Sequence, residues 1–204
     1  VDDAHATGLF GDARGAGLAE HFGVERRAAA IVSTFGKALA LSGACVAGSL
    51  ILVDYLLNRS RAFVFTTAPP PLLLLGIDAA LDLLVAEPWR RRRVLDLAER
   101  LRTRLAAQGV ERPGGVGPIV PVVLGDNRRA LAVAAHLAAL GLDVRAVRPP
   151  TVPAGTARLR ISIHADHTEA QIDALADGLT AAVATSAASP VPAASVTADE
   201  PEPR

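Results

Sequence analysis

The sequence predicts an α/β protein built as two units joined by a long helix. Three observations lead there. Unbroken apolar runs of strand length at 28–34 and 43–48 alternate with helix-like stretches as far as about residue 87. Glu87-Pro88 then interrupts the pattern. Beyond it, hydrophobic periods of two and of about 3.6 residues alternate in the order strand–helix–strand–strand–helix. The boundaries fall at 1–88 for the first unit and 89–183 for the second. Residues 184–204 turn to Ala, Ser, Pro, Thr and acidic residues with no apolar period, and are expected to be a disordered tail.

Taken in order, Val1-Asp2-Asp3 reads as the end of a strand, and a loop with Gly8, Gly11, Gly15 and Gly17 leads to a short helix at 18–22. The runs 28–34 and 43–48 read as strands covered on both faces, which makes Cys45 a small core residue. A helix is expected over 50–58 and a short strand over 61–65. Pro69-Pro70-Pro71 suits the start of a helix over 72–85, because a first-turn residue needs no amide hydrogen. That helix is apolar nearly all round, which predicts burial in a domain core or an interface. From Trp89 a new helix places Val94, Leu97, Ala98, Leu101 and Leu105 on one face, with the run 90–93 of four arginines expected on a solvated face. Gly114-Gly115-Val116-Gly117 turns into a strand at 118–124. Asp126-Asn127 caps a helix burying Ala130, Val133, Ala134, Leu137 and Leu140, closed by Gly141. Residues 142–147 and 157–163 alternate as strands, the latter with Leu159, Ile161 and Ile163 facing one way and Arg158, Arg160 and Ser162 the other. Thr168 with Gln171 forms a capping box before a helix burying Ile172, Leu175, Leu179 and Val183.

Composition removes several classes of function. The formal net charge is +0, so nothing in the overall charge points to nucleic acid or an acidic partner, and aromatic residues at 3% are too few for base-stacking platforms. The longest apolar stretch, 69–85, carries Asp78 and Asp82 and falls short of the ~20 residues a membrane span needs. Cys45 is the one cysteine, which leaves no internal disulfide and no cysteine-rich metal site, and suits a reducing cytoplasm. There is no methionine and the chain opens on a strand end, so further residues are expected to precede Val1.

The sharpest chemical signal is Lys37, the sole lysine among 21 basic side chains. Arg keeps its proton in any protein setting, whereas a lysine can lose it and become a nucleophile. Lys37 follows an apolar strand, with Thr34 and Gly36 making a turn where backbone can approach a ligand closely. It is not a phosphate-loop lysine, because Ile31 stands where a glycine is required and no Ser or Thr follows. Asp2 and His5, three positions apart beyond a strand end, lie where open α/β sheets bind ligands, although from the motif alone a loop Asp paired with a surface His is the better reading.

Four motifs carry a resemblance: Val1-Asp2-Asp3-Ala4-His5, Ser33-Thr34-Phe35-Gly36-Lys37, Phe65-Thr66-Thr67 with its prolines, and RPPTVPAGTARLR over 148–160. In this order and spacing the chain resembles the α-oxoamine synthases, fold-type-I enzymes dependent on pyridoxal 5'-phosphate (PLP), from Val1 to about Leu179. The resemblance implies part of a large, mostly parallel-sheet PLP domain followed by a small α/β domain. It implies that Lys37 holds the cofactor and later acts as base. Asp2 would face the ring nitrogen, His5 the phenolic oxygen, and Thr34 the phosphate. Thr66 and Thr67 would reach the phosphate of a second subunit, making a homodimer with shared active sites. Arg148 would pair with the amino-acid carboxylate, Thr151 would line the site, and Arg158 and Arg160 would either touch substrate or simply face solvent.

The implied chemistry is a decarboxylative condensation of an amino acid with an acyl thioester, L-alanine and a pimeloyl thioester fitting the 148–160 stretch best. Ala6 departs from the Gly more usual beside the histidine. The family's cofactor-stacking ring has no counterpart in this sequence, so the chain alone is expected to bind PLP weakly or not at all. A partly folded, non-catalytic product is the alternative from outside enzymology.

Overall fold

The computed structural model describes residues 1–188. They divide into two compact units. One holds Val1–Arg100, Gly115–Pro118 and Ile163–His167; the other holds Leu101–Gly114, Ile119–Ser162 and the residues from Thr168 onward.

In the first unit the extended opening segment makes a parallel bridge from Asp2 to Val32, and a glycine-rich loop then leads to α1 (Leu18–His21). β1 (Ala30–Thr34) and β2 (Ala44–Gly48) pair antiparallel, with Ser33 opposite Cys45. Parallel pairing, expected to dominate this unit, is confined among the described residues to the Asp2–Val32 bridge. The 35–43 turn is too short for a crossover, which takes a dozen or more residues, so β2 doubles back beside β1. Nor are these strands covered on both faces: β1 is half-buried along its length and β2 exposed. Cys45 is therefore exposed rather than a core residue. An apolar composition sets what a side chain prefers, not whether anything lies over it.

α2 (Leu50–Arg59) begins at Ser49, whose hydroxyl accepts from the Leu52 amide at 3.3 Å. Residues 61–64, expected as a strand, form α3 (Arg61–Val64). The amides of Phe63 and Val64 both donate to the Ser60 carbonyl, so the short apolar run meets its backbone needs locally. α4 (Pro71–Ala86) starts with Pro71 in its first turn, as expected. It is not buried in a core: Leu72 is 80% exposed and Leu75 67%. α5 (Trp89–Ala107) begins in this unit and ends in the other. Its arginine run is not simply a solvated face. Arg91 is buried and donates to the carbonyls of Leu84 and Asp12, both at 2.8 Å, while Arg93 donates to those of Ala165 and His167. A guanidinium carries five donors on a long stem, so it can close loop ends that leave carbonyls unmet.

The second unit is a helix-backed antiparallel sheet. Its elements are β3 (Ile119–Gly125), α6 (Asn127–Ala139), β4 (Arg145–Val147), β5 (Ala157–Ser162) and α7 (Glu169–Ala188). The strand order is β3–β5–β4, every pair antiparallel. Alternation on β5 holds, with Leu159 and Ile161 buried and Arg160 and Ser162 exposed. The core gathers Leu101 and Leu105 of α5, Val120 and Val122 of β3, and Val133, Leu137, Ile172 and Leu179 of the helices. Asp126 caps α6 by accepting from the Arg129 amide at 2.9 Å. Thr168 and Gln171 exchange capping bonds of 2.8 and 3.2 Å at the head of α7. Leu140 is 56% exposed because it is the C-cap of α6, past the end of the buried stripe. Ala182 is buried where Val183 was expected to be. α7 runs to Ala188, five residues into the expected tail, the rest of which lies outside the described residues. Among the described residues no helix is long and apolar enough to cross a membrane.

Candidate functional site

The end of β1 is the platform. Val32 donates to the Val1 carbonyl at 2.9 Å and accepts from the Asp3 amide at 2.8 Å, which fixes the opening segment alongside the strand. The Asp3 carbonyl then accepts from the amides of Ala6 and Thr7, both at 2.9 Å, and this coil carries Ala4 and His5 past the strand end. Asp2 Oδ1 accepts from the Ala4 amide at 2.9 Å, a local bond that fixes its carboxylate at the bend. His5 is exposed there.

Thr34, the last residue of β1, donates its hydroxyl to the Ala4 carbonyl at 3.3 Å and accepts from Lys37 Nζ at 3.3 Å. Lys37, Thr34 and Ala4 thus form one hydrogen-bonded row, with Asp2 and His5 on either side of Ala4 in sequence. The turn bearing Lys37 is closed by Phe35 donating to Gly43 at 2.9 Å and Leu41 to Phe35 at 2.8 Å. Leu39 is its buried anchor, and Ala40 sits at φ 55°, a left-handed conformation uncommon outside glycine. Gly8 backs this turn closely: at its φ of 85° a Cβ would lie 2.6 Å from Ala38 Cβ.

Behind this row stand residues that sequence reasoning passed over. Asp3 has no exposed surface and turns its carboxylate to the amides of Leu18 and Ala19 at the start of α1. Thr7, also buried, places Oγ1 3.0 Å from the Asp3 carbonyl and 3.0 Å from Ser33 Oγ. Glu20 accepts from the amides of Ala13, Arg14 and Ala16 and so ties down the glycine loop. Burial pulls its carboxyl upward, but the amides of Ala16, Arg14 and Ala13 and the Arg14 charge outweigh that and hold its pKa below the ordinary value. Their only signal in the sequence was proximity to Asp2 and to the loop glycines.

The other expected residues lie elsewhere. Thr66 and Thr67 are exposed in the loop between α3 and α4, and among the described residues no hydrogen bond joins them to the Lys37 row. Arg148 and Thr151 belong to the second unit, where Thr151 donates its amide to the Arg148 carbonyl at 3.1 Å and both side chains are exposed. Arg158 is turned to Thr156, donating to its carbonyl and its hydroxyl at 3.0 and 3.1 Å, whereas Arg160 is exposed. In that unit a cleft of about 330 Å³ is lined by Gly125, Asp126 and Asn127 on one side and Pro149, Ala154 and Gly155 on the other.

Residues 1–179 match the family model of aminotransferase class I and II. The chain belongs to that family. The aminotransferase-family fold also fits the solved structures it resembles. A serine palmitoyltransferase determined with a PLP internal aldimine shares 32% identity at a TM-score of 0.85, over 92% of this chain and 47% of that one. An 8-amino-7-oxononanoate synthase from Francisella tularensis shares 26% identity at a TM-score of 0.81, over 91% of this chain and 54% of that one. Among curated relatives, the 8-amino-7-oxononanoate synthase of Anaeromyxobacter dehalogenans (strain 2CP-C) is 50% identical over 173 residues, 85% of this chain and 43% of the relative. The chain spans less than half the length of such relatives. The resemblance carried by the four motifs is thereby borne out for the matched portion.

Proposed function

We propose that this chain is part of a PLP-dependent acyltransferase of the 8-amino-7-oxononanoate synthase type, joining L-alanine to a pimeloyl thioester with loss of carbon dioxide and release of the thiol. The supporting observation is the row Lys37–Thr34–Ala4 at the end of β1, with Asp2 and His5 beside it, in a chain 50% identical to such a synthase. The donor set fits the cofactor: one exposed primary amine, a hydroxyl 3.3 Å from it, and a carboxylate and an imidazole on the adjoining bend.

Lys37 would hold PLP through Nζ, Thr34 would turn its hydroxyl to the phosphate, and Asp2 would keep a proton on the ring nitrogen, with His5 at the phenolic oxygen. The bound cofactor supplies a sink for the electron pair left when the α C–H bond of the amino acid breaks. Once the substrate amine has displaced Lys37 from the cofactor, the freed Nζ would take that proton; Arg148 would pair with the amino-acid carboxylate through its planar fork, and Thr151 would line the same loop. Thr66 and Thr67 serve the phosphate of a second subunit, so the working protein is a homodimer acting in the cytoplasm. The exposed apolar face of α4 supports association.

The test uses the protein expressed from its entire coding sequence. PLP addition should give a visible band that is absent in Lys37→Ala, and turnover should be greatest with L-alanine and a pimeloyl thioester. No Lys37-dependent band would overturn the cofactor assignment. Preference for glycine with an acetyl thioester, or serine with a palmitoyl thioester, would overturn the substrate assignment and leave the reaction class standing.

A further inference from the structure

We infer that Thr7 is a positioning residue, whose buried hydroxyl holds the Asp2–His5 bend in register with the Thr34–Lys37 turn. The inference rests on the cofactor reading above and adds to it a residue that touches neither cofactor nor substrate.

Among the described residues, two side-chain links join the bend to the end of β1. One is Thr34 to the Ala4 carbonyl at 3.3 Å; the other runs through Thr7, with Oγ1 3.0 Å from Ser33 Oγ and 3.0 Å from the Asp3 carbonyl. A hydroxyl has one proton to give, and a carbonyl can only accept. Thr7 therefore commits its proton to Asp3, and Ser33 completes the bridge by donating to Thr7.

The two links differ in what they can survive. The Thr34 hydroxyl also has a single proton, and in this structure it goes to Ala4 while the oxygen accepts from Lys37 Nζ. Turning that proton to a phosphate oxygen releases Ala4. The Thr7–Ser33 bridge needs no such exchange, because Thr7 is buried, with 7% of its surface exposed, and faces away from solvent. When the cofactor claims Thr34, Thr7 is the side-chain link that keeps the Asp2 carboxylate and the His5 imidazole at a fixed distance from Lys37.

The experiment compares Thr7→Val, Thr7→Ser, Ser33→Ala and the Thr7→Val/Ser33→Ala double variant, each in the protein expressed from its entire coding sequence. One readout needs no cofactor: hydrogen exchange at the Asp3 and Val32 amides, which make the bridge beside β1, against the β1–β2 ladder as internal control. The other is borohydride-trapped PLP at Lys37, measured by peptide mapping against Nα-acetyl-lysine as competitor. Thr7→Val and Ser33→Ala should each speed exchange at Asp3 and Val32 about tenfold with the ladder unchanged, and lower trapping at Lys37 about tenfold. The double variant should be no worse than either single one, and Thr7→Ser should stay within about twofold of the parent. Unchanged exchange in Thr7→Val overturns the bridge, and so does equal acceleration of the ladder, which would mean general loosening. Faster exchange with undiminished trapping overturns its role toward the cofactor. If the parent protein traps no more PLP at Lys37 than the free competitor does, the cofactor reading fails instead, and the exchange data alone decide the bridge.

Discussion

Asp3 Oδ1 accepts a hydrogen bond from the Leu18 amide at 3.1 Å, so the residue next to the candidate ring-nitrogen acid is itself tied to the head of α1. Asp2 and Asp3 look alike in the sequence and do opposite work. Asp2 is exposed at the bend, whereas Asp3 has 0% exposure and serves the amides of Leu18 and Ala19. Asp3→Ala leaves two enclosed amides unmet and is expected to cost about 1–3 kcal/mol. Asp2→Ala should change stability by less than about 0.5 kcal/mol while weakening PLP binding. Urea denaturation midpoints with parallel PLP titrations separate the two.

Gly8→Ala should disturb the site from behind. At φ 85° a side chain is strained, and its Cβ would meet Ala38 Cβ at 2.6 Å, one residue from Lys37. A loss of about 1–3 kcal/mol is expected together with weaker trapping of PLP at Lys37. Gly23→Ala is the control: its φ of 62° carries a comparable backbone penalty, but nothing lies within 4 Å, so trapping should be unchanged.

Glu20 should make stability fall in acid. Its folded pKa lies below the reference value of 4.5, so the unfolded chain takes up its proton first as pH drops. Its contribution is whole above pH 4.5 and is lost as pH falls through the folded value. Glu20→Gln should lower stability at pH 7 by about 1–2 kcal/mol and flatten the loss below pH 4.5, read from thermal unfolding at stepped pH.

The second unit offers a test of its sheet faces. Leu159 has 0% exposure and Val123 has 55%. Leu159→Ala should cost about 2–5 kcal/mol, and Val123→Ala within about 0.5 kcal/mol, by denaturant midpoints.

That contrast also shows where sequence was informative. β5 and the capping box of Thr168 with Gln171 were legible because period and cap chemistry are local, and the helix and strands of this unit bury one face each. The first unit was harder. Residues 61–64 are apolar enough for a strand, but the Ser60 carbonyl gathers two amides and makes a helical turn. The leucines of α4 announce a preference for burial and cannot name what covers them. Of the site, Lys37, Asp2, His5 and Thr34 were legible from residue type and motif. Thr7, Ser33 and Asp3 were not, because a hydroxyl bridge between positions 26 residues apart leaves no periodic trace.

The 35–43 turn has a practical consequence. It joins the strand leading to Lys37 to the strand bearing Cys45, and within this sequence each is the sole residue of its kind, both exposed. A thiol-reactive reporter on Cys45 therefore marks the strand that follows the turn while leaving the Lys37 amine free, so its signal can follow the hairpin as each reactant arrives.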